Sequence, residues 1–438
     1  MSLRSLAPRM RQIPARKSAI LSVLDIGASK IVCLIARLTP MKPSEALRGR
    51  THRCEVLGIG HQRSNGVRGG AIVDLQGAEH ATRLAIDAAE RMAGVEVGGV
   101  IINMSGGRLG SRRHGADVKL RGKTVAEHDV HHALEAAALV DAEPGRTILH
   151  ALPTAFRLDS TKDVRDPKGM VGHELGVDLH LATCDSAAAR NLMLVIERCH
   201  LRVEAMVATP YAAGLSTLVD DEAELGAAVV DFGGGSTAVG VFTGGRLIHV
   251  DAVVLGGGHV TRDLARGLNV SVSDAERLKT LYGACIASPS DDRETITVHR
   301  LGDDHDHPSH LPKSELVRII RPRVEEILEL TRDRLKGSGY AAQAGRRLVM
   351  TGGACQLTGL PELARTTLSS QARVGRPLGI EGLPESGKNP SFAAAVGLMV
   401  YPQMAGLEYF GSTRSHRLHH QGEGGYAKRV GRWLKDSF

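Results

Sequence analysis

Apolar positions in this chain follow two periods, and the order in which they alternate sketches the architecture. From Ala19 the sequence AILSVLDIGASKIVCLIARL gives an apolar strand, a carboxylate at Asp25, a turn at Gly27 and Ser29, and a second strand rich in β-branched residues. The succession returns in LGAAVVDFGGGSTAVGVFTGG. There an apolar run ends at Asp231, opens into Gly233, Gly234 and Gly235, and passes through Ser236 and Thr237 into strand-like residues 238–242. The turn Gly244-Gly245 leads into another apolar stretch over 246–254, so the glycine loop is the tip of a β-hairpin. A Walker loop or a Rossmann fingerprint would open into a helix here. Two such units predict two related lobes. A third loop, in RLVMTGGACQLTGL, is a strand ending at Gly352 and Gly353.

Helical spacing occupies most of the intervening chain. Residues 75–92 read as an amphipathic helix, and residues 98–177 as an inserted small α/β unit. That unit has a strand VIINMS, a turn at Gly106-Gly107, a helix over 126–140 started by Thr124, and two strands, ILHALP and AFRLDS. Further helices are expected over 187–199, 258–266 and 273–282, the last capped by Ser273 and Asp274. A longer one over 313–336 carries apolar residues from Leu316 to Leu335, a kink at Pro322, and Arg318, Arg321, Arg323, Arg332 and Arg334. A solvated face is the plain reading of those arginines; an acidic peptide is the functional one.

The loops carry the candidate chemistry. Glycines let backbone N–H groups approach a polyphosphate, Ser236 and Thr237 can donate further bonds, and Asp25 and Asp231 at strand ends can hold a magnesium ion through water. Gly352 and Gly353 would suit a nucleoside. A single Asp-Gly hairpin is most often an ordinary turn, whereas three in this order point to a nucleotide.

Composition narrows the setting. The 438 residues, 42% apolar and 24% charged, suffice for more than one core of a soluble globular protein. Six cysteines without CxxC pairs read as buried free thiols in a reducing cytoplasm. No apolar run is long enough to span a bilayer, and the basic segment 1–18 reads as a disordered extension rather than a secretory signal. The net charge of +7 permits attraction to anionic lipid or nucleic acid without requiring it, and no nucleic-acid partner is expected. His299, His305, His307 and His310, with Asp303, Asp304 and Asp306, read as a polar loop rather than a metal site.

The three loops together resemble the actin-like ATPases, whose phosphate 1, phosphate 2 and adenosine motifs occur in this order. Within that superfamily the chain resembles the bacterial cell-division FtsA family in LDIGASKI, LGAAVVDFGGGST, AERLKTLYG, the TGG loop, the stretch ILHALPTAFRLDSTKDVRDPKGMV and an amphipathic tail. The implied fold is α/β and two-lobed, with duplicated hairpin and sheet cores, an inserted subdomain and a C-terminal amphipathic helix. The implied nucleotide site comprises Asp25, Gly27, Ser29, Lys30, Asp231, Gly233 to Thr237, Glu276, Lys279, Gly352 and Gly353, holding ATP with Mg2+. The resemblance further implies a division-site protein on the cytoplasmic side of the inner membrane. It would self-assemble, dock the C-terminal peptide of FtsZ and receive other division proteins on its insert.

Pattern and resemblance divide the chain into an extension (1–18), first-lobe core (19–97, 179–224 and 389–404), insert (98–178), second-lobe core (225–262 and 336–388), a small partner-binding subdomain (263–335) containing Arg321 and Arg323, a flexible linker (405–424) and a membrane-targeting helix (425–438). In that last helix Tyr426, Val430, Trp433 and Leu434 share one face, while Lys428, Arg429, Arg432 and Lys435 surround the other. Such a tail separates an FtsA-like protein from the pilus-assembly relative PilM, the alternative within the same superfamily. A sugar-kinase-like phosphotransferase is the remaining alternative, but no substrate-cleft acid presents itself. In ATPYAAGLS, where rapid actin-like ATPases place a Gln or carboxylate to orient water, this chain offers Thr209 and Tyr211, so hydrolysis is expected to be slow.

Overall fold

The structure, a computed structural model, describes residues 7–410 apart from 43, 45, 46, 48, 303–308 and 369. Each lobe is built on a sheet of the same design. In the first, Ala19–Ile26, Lys30–Pro40 and His52–Arg63 form an antiparallel meander, and Gly99–Met104 and Arg202–Ala208 add in parallel beside the first strand. The short strand Ile380–Glu381 completes six. In the second, Ala227–Phe232, Thr237–Thr243 and Arg246–Val253 form the meander, with Arg347–Thr351 and Gln371–Val374 parallel beside it. Both central strands are apolar along nearly their whole length because helices cover the sheets. On the first lobe, Leu75–Ala93 lies against the meander and Ala393–Met404 packs on both Ala19–Ile26 and the helix Thr209–Thr217. The approach of Leu75–Ala93 is close: a Cβ at Gly60 would lie 1.7 Å from the Ala85 carbonyl oxygen, so any side chain there would push the helix off.

The insert is a four-stranded antiparallel sheet, ordered Gly110–Lys119, Glu174–Asp185, Arg146–Leu158, Thr161–Val164, with helix Glu127–Ala137 packed on it. Three sequence expectations change here. The strand VIINMS, expected in the insert, is Gly99–Met104 of the first-lobe sheet, where it pairs in parallel with Ala19–Ile26. ILHALP and AFRLDS belong to one 13-residue strand, whose Pro153 pairs with Leu179 beside a register shift, where a missing N–H is tolerated. The helix begins at Glu127, and Asp129 closes its first turn by accepting from the Ala126 N–H; Thr124 instead bridges to Val171. In the second lobe, helix Val272–Tyr282 is capped by Ser271, whose hydroxyl accepts from the Asp274 N–H, rather than by Ser273 and Asp274. Helix Ser314–Gly337 runs through Pro322. All six cysteines are free, and burial pushes five of the thiols up to about 12.

The chain ends also depart from expectation. Residues 7–17 are a packed strap rather than a solvated extension. Ala7 and Ile13 are buried, the Pro8 carbonyl accepts from the Met206 N–H, and the Ile13 N–H donates to Pro402. The expected linker likewise begins docked. Glu408 is buried against His150 at 2.9 Å, and the Tyr409 N–H donates to the Ala151 carbonyl. Because His150 Nε2 accepts from the Ala208 N–H, Nδ1 carries the proton and donates to Glu408. Arg9 stacks over the Phe410 ring at 3.9 Å, joining strap to C-terminal segment. Residues 1–6 and the expected membrane helix lie outside the described residues. Among the described residues no helix is long and apolar enough to cross a membrane.

Candidate functional site

The two hairpin turns are built alike and meet between the lobes. The Gly27 N–H donates to the Lys30 carbonyl and the Gly233 N–H to the Ser236 carbonyl, each at 3.0 Å. The turns nearly touch: a Cβ at Gly234 would lie 3.0 Å from the Ser29 Cβ, and one at Gly235 2.8 Å from the Ala28 Cβ and 2.7 Å from the Gly69 nitrogen. The N–H groups of Ala28, Ser29, Gly234 and Gly235 donate to no group among the described residues. This leaves a cluster of unused main-chain donors, the arrangement that binds anionic oxygens.

Asp25 and Asp231 occupy matching positions, each at the end of its lobe's first strand. Burial pushes Asp25 up to about 6 against the pull of Lys30. It pushes Asp231 up to about 7, with repulsion from Asp25 adding to the rise. Burial also brings Lys30 down to about 8, opposed by both carboxylates. Its Nζ donates to Ser391 Oγ at 2.8 Å and sits over the Phe392 ring. Two carboxylates against one ammonium leave an excess negative charge in a low-dielectric cleft, and oxygen-only donors of this kind suit a small hard cation. A pH effect follows. Because the Asp231 folded-state value of about 7 lies above the ordinary 3.8, its contribution to stability is present below about pH 4 and lost as pH rises through 7. Metal-free protein should therefore resist urea better at pH 6 than at pH 8, and Asp231→Asn should remove much of that difference in urea unfolding curves.

Asn103 was not anticipated from the sequence. Its Oδ1 accepts from the Ile26 N–H at 2.7 Å, which fixes the amide orientation, and its Nδ2 donates to Asp25 Oδ1 at 2.6 Å and Thr209 Oγ1 at 3.3 Å. It thereby occupies one carboxylate oxygen of Asp25 and leaves the other for a ligand. The signal was present as a lone amide in the apolar run VIINMS. Its counterpart beside Asp231 is Thr351, which donates to the Pro390 carbonyl. Tyr211, by contrast, packs edge-on against His150 at 5.0 Å, inside the core.

Other expected residues take different parts. The Ser236 hydroxyl donates to the Ser105 carbonyl and that of Thr237 to Leu255, so both fix the loop instead of standing free for phosphate. The N–H groups of Gly257 and Gly258, opening helix Gly257–Leu268, donate to Gly233 and Gly234 carbonyls and brace the loop from behind. Lys279 Nζ reaches Glu276 at 2.7 Å, Thr261 Oγ1 at 2.8 Å and the Gly257 carbonyl at 3.2 Å, placing this pair beside the brace. Gly352 has φ +85, and a Cβ there would lie 2.4 Å from the Phe232 carbonyl oxygen and 2.7 Å from Asp231 Oδ1; Gly353 is exposed. Arg321 and Arg323 lie apart from this cluster, on helix Ser314–Gly337. Residues 303–308 of the histidine-rich loop, and the residues of the expected tail helix, lie outside the described residues. Among the described residues no three metal-binding side chains converge.

Comparison with known proteins places this geometry in a lineage. The family model described as cell division protein FtsA matches residues 228–397, and that described as the SHS2 domain inserted in FtsA matches 106–183. Cell division protein FtsA of Rhizobium meliloti (strain 1021) is 51% identical over 98% of both chains. That of Pseudomonas aeruginosa is 31% identical over 95% of this chain and 97% of its own. Among solved structures, the PilM-PilN type IV pilus biogenesis complex is similar in fold (TM-score 0.59, 16% identity, 89% of this chain and 99% of that one). MreB5 of Spiroplasma citri bound to ADP is similar too (TM-score 0.53, 11% identity, 89% and 98%). The two lobes share the actin-like fold, and identity at this level along almost the entire length means that the chain belongs to the FtsA family of cell-division proteins.

Proposed function

We propose that this chain binds ATP with Mg2+ between its lobes and, at the division site, tethers FtsZ to the cytoplasmic face of the inner membrane. The observation that carries the nucleotide reading is the meeting of two glycine turns with unused N–H donors beside two buried carboxylates. An actin-like neighbour solved with ADP supports it. Bound Mg2+ would neutralise phosphate charge; Asp25 and Asp231 would hold it through water, with Asn103 keeping Asp25 in place. With Tyr211 buried in the core and the Thr209 oxygen tied to Asn103, no carboxylate or amide of the segment 208–216 orients a water, and slow turnover follows. Nucleotide-dependent self-assembly, and docking of later division proteins on the insert, complete the reading. Co-sedimentation of the full chain with anionic liposomes, with and without ATP and the FtsZ C-terminal peptide, tests membrane, nucleotide and partner together. Failure to bind ATP in the presence of Mg2+ would reject the nucleotide part.

The FtsZ peptide is assigned to the small second-lobe subdomain. Two arginines there differ in availability. Arg323 binds Asp263 at 2.5 Å and also pairs with Glu326, tying helix Gly257–Leu268 to helix Ser314–Gly337, whereas Arg321 is exposed and, among the described residues, pairs only with Glu325, one turn away. Surface pairs of the second kind are worth roughly 0.3–0.5 kcal/mol and exchange readily for an incoming carboxylate. Arg321→Glu should weaken peptide binding several-fold at low salt and less at high salt in fluorescence anisotropy titrations. Unchanged affinity would move the site elsewhere. Reversal at Arg323 is the poorer test because it would set a carboxylate against Asp263 and Glu326.

A further inference from the structure

The insert is rooted in one lobe and bonded to the other. Its root is in the first lobe: the chain enters it from strand Gly99–Met104 and leaves through helix Ser186–Arg198, His150 of the insert accepts from the first-lobe Ala208 N–H, and Ala151 accepts from Tyr409 of the docked C-terminal segment. Its far hydrogen bonds centre on the second-lobe strand Arg246–Val253. Ser111 imitates a strand partner there, accepting from the Val250 N–H at 2.6 Å and lying 2.9 Å from the Val250 carbonyl oxygen. His180 sits behind it, with Nε2 2.9 Å from Ser111 Oγ and Nδ1 3.1 Å from the Leu247 carbonyl oxygen. The carbonyl requires the proton on Nδ1, so Nε2 accepts, and the Ser111 proton is shared between His180 and Val250. In the reverse direction Arg246 donates to the carbonyls of Pro153 and Thr154, at 3.2 and 3.1 Å. Arg113 stacks over the second-lobe Tyr340 at 4.2 Å.

The strand gripped in this way also shapes the phosphate turn. Val253 pairs with Thr237 and Val250 with Gly240, so the grip lies three residues, or roughly 10 Å, from the start of the hairpin's second strand. A second link joins the same parts, since Ser236 of the turn donates to Ser105, one residue before the insert's root at Gly106. From these contacts we infer that the insert is a latch across the two lobes: it holds the second-lobe hairpin in its closed position and thereby slows nucleotide release. The latch rests on the nucleotide reading above. Lobe separation wide enough to free a bound nucleotide must displace the second lobe against a body fixed to the first, breaking the bonds of Arg246 and Ser111. Linkage makes the effect reciprocal, so bound nucleotide must strengthen the latch by the factor by which the latch strengthens binding.

Two measurements on the full chain test it. Dissociation of a fluorescent ATP analogue with Mg2+ should be about tenfold faster from Arg246→Ala and from Ser111→Ala than from the wild type, the scale expected when charge-assisted or buried hydrogen bonds are lost. Lys119→Ala, on the exposed end of the insert's edge strand, should not change it. In the unsubstituted protein, hydrogen exchange at the Val250 amide should slow about tenfold when ATP and Mg2+ are added, which needs no variant to fold. Unchanged dissociation in folded variants, or Val250 exchange indifferent to ATP while amides of the phosphate turn become protected, would overturn the latch and leave the nucleotide site standing. A wild-type chain that binds no analogue would overturn both.

Discussion

Gly234→Val is expected to abolish ATP binding, weakening it at least ~100-fold, which corresponds to about 2.7 kcal/mol. The reason is steric and local. A Cβ at this position already reaches 3.0 Å from the Ser29 Cβ of the opposing turn, so the two methyl groups of valine must either push the turns apart or fill the space between them. Either outcome removes the convergence of N–H donors from two lobes on one set of phosphate oxygens. The effect should be confined to the site, because Gly234 is in neither core and is partly exposed. Isothermal titration with ATP and Mg2+, alongside a thermal melt, measures both sides of this claim. Wild-type affinity in a folded Gly234→Val protein would show that phosphates bind elsewhere.

Removal of residues 425–438, or Trp433→Glu alone, is expected to release the protein from membranes while leaving ATP binding intact. A short amphipathic segment is marginal as a helix by itself and gains stability where lipid headgroups cover its apolar face. Four basic residues, Lys428, Arg429, Arg432 and Lys435, each contribute on the order of 1 kcal/mol near an anionic surface, and Trp433 is the side chain best suited to the headgroup layer. A carboxylate in place of Trp433 loses the anchor and adds repulsion from anionic lipid. Liposome co-sedimentation reads the result directly. Binding that survives both changes would place the tether elsewhere in the chain.

How far the sequence could be read depends on how local each signal is. The two-lobed fold was legible because glycine and aspartate interrupting an apolar strand are strong departures over a handful of residues, and their repetition betrays the duplicated sheets. Features made by distant partners were not. Asn103 acquires its meaning from Asp25, 78 positions away, and Gln12 from the Gln403 carbonyl, 391 positions away. The strap at 7–17 reads as a basic extension because its few apolar residues have no period of their own; Ala7 and Ile13 are buried by elements formed elsewhere in the chain. Ser236 and Thr237 were read as phosphate donors since a hydroxyl after glycines fits that role, but carbonyls from other segments already engage them. The insert's grip on the second lobe left no trace in local pattern, because it joins three insert strands to a distant second-lobe strand through side chains of ordinary type.

The docked residues 405–410 also determine how mechanical load enters the described fold. Among the described residues, tension from anything attached beyond Phe410 is met first at the Tyr409 bond to Ala151 and the buried Glu408–His150 pair, with Arg9 clamped over Phe410. Ala151 and His150 belong to the insert strand Arg146–Leu158. A pull from a membrane would thus be felt at the junction of insert and first lobe before it reaches the helix Ala393–Met404.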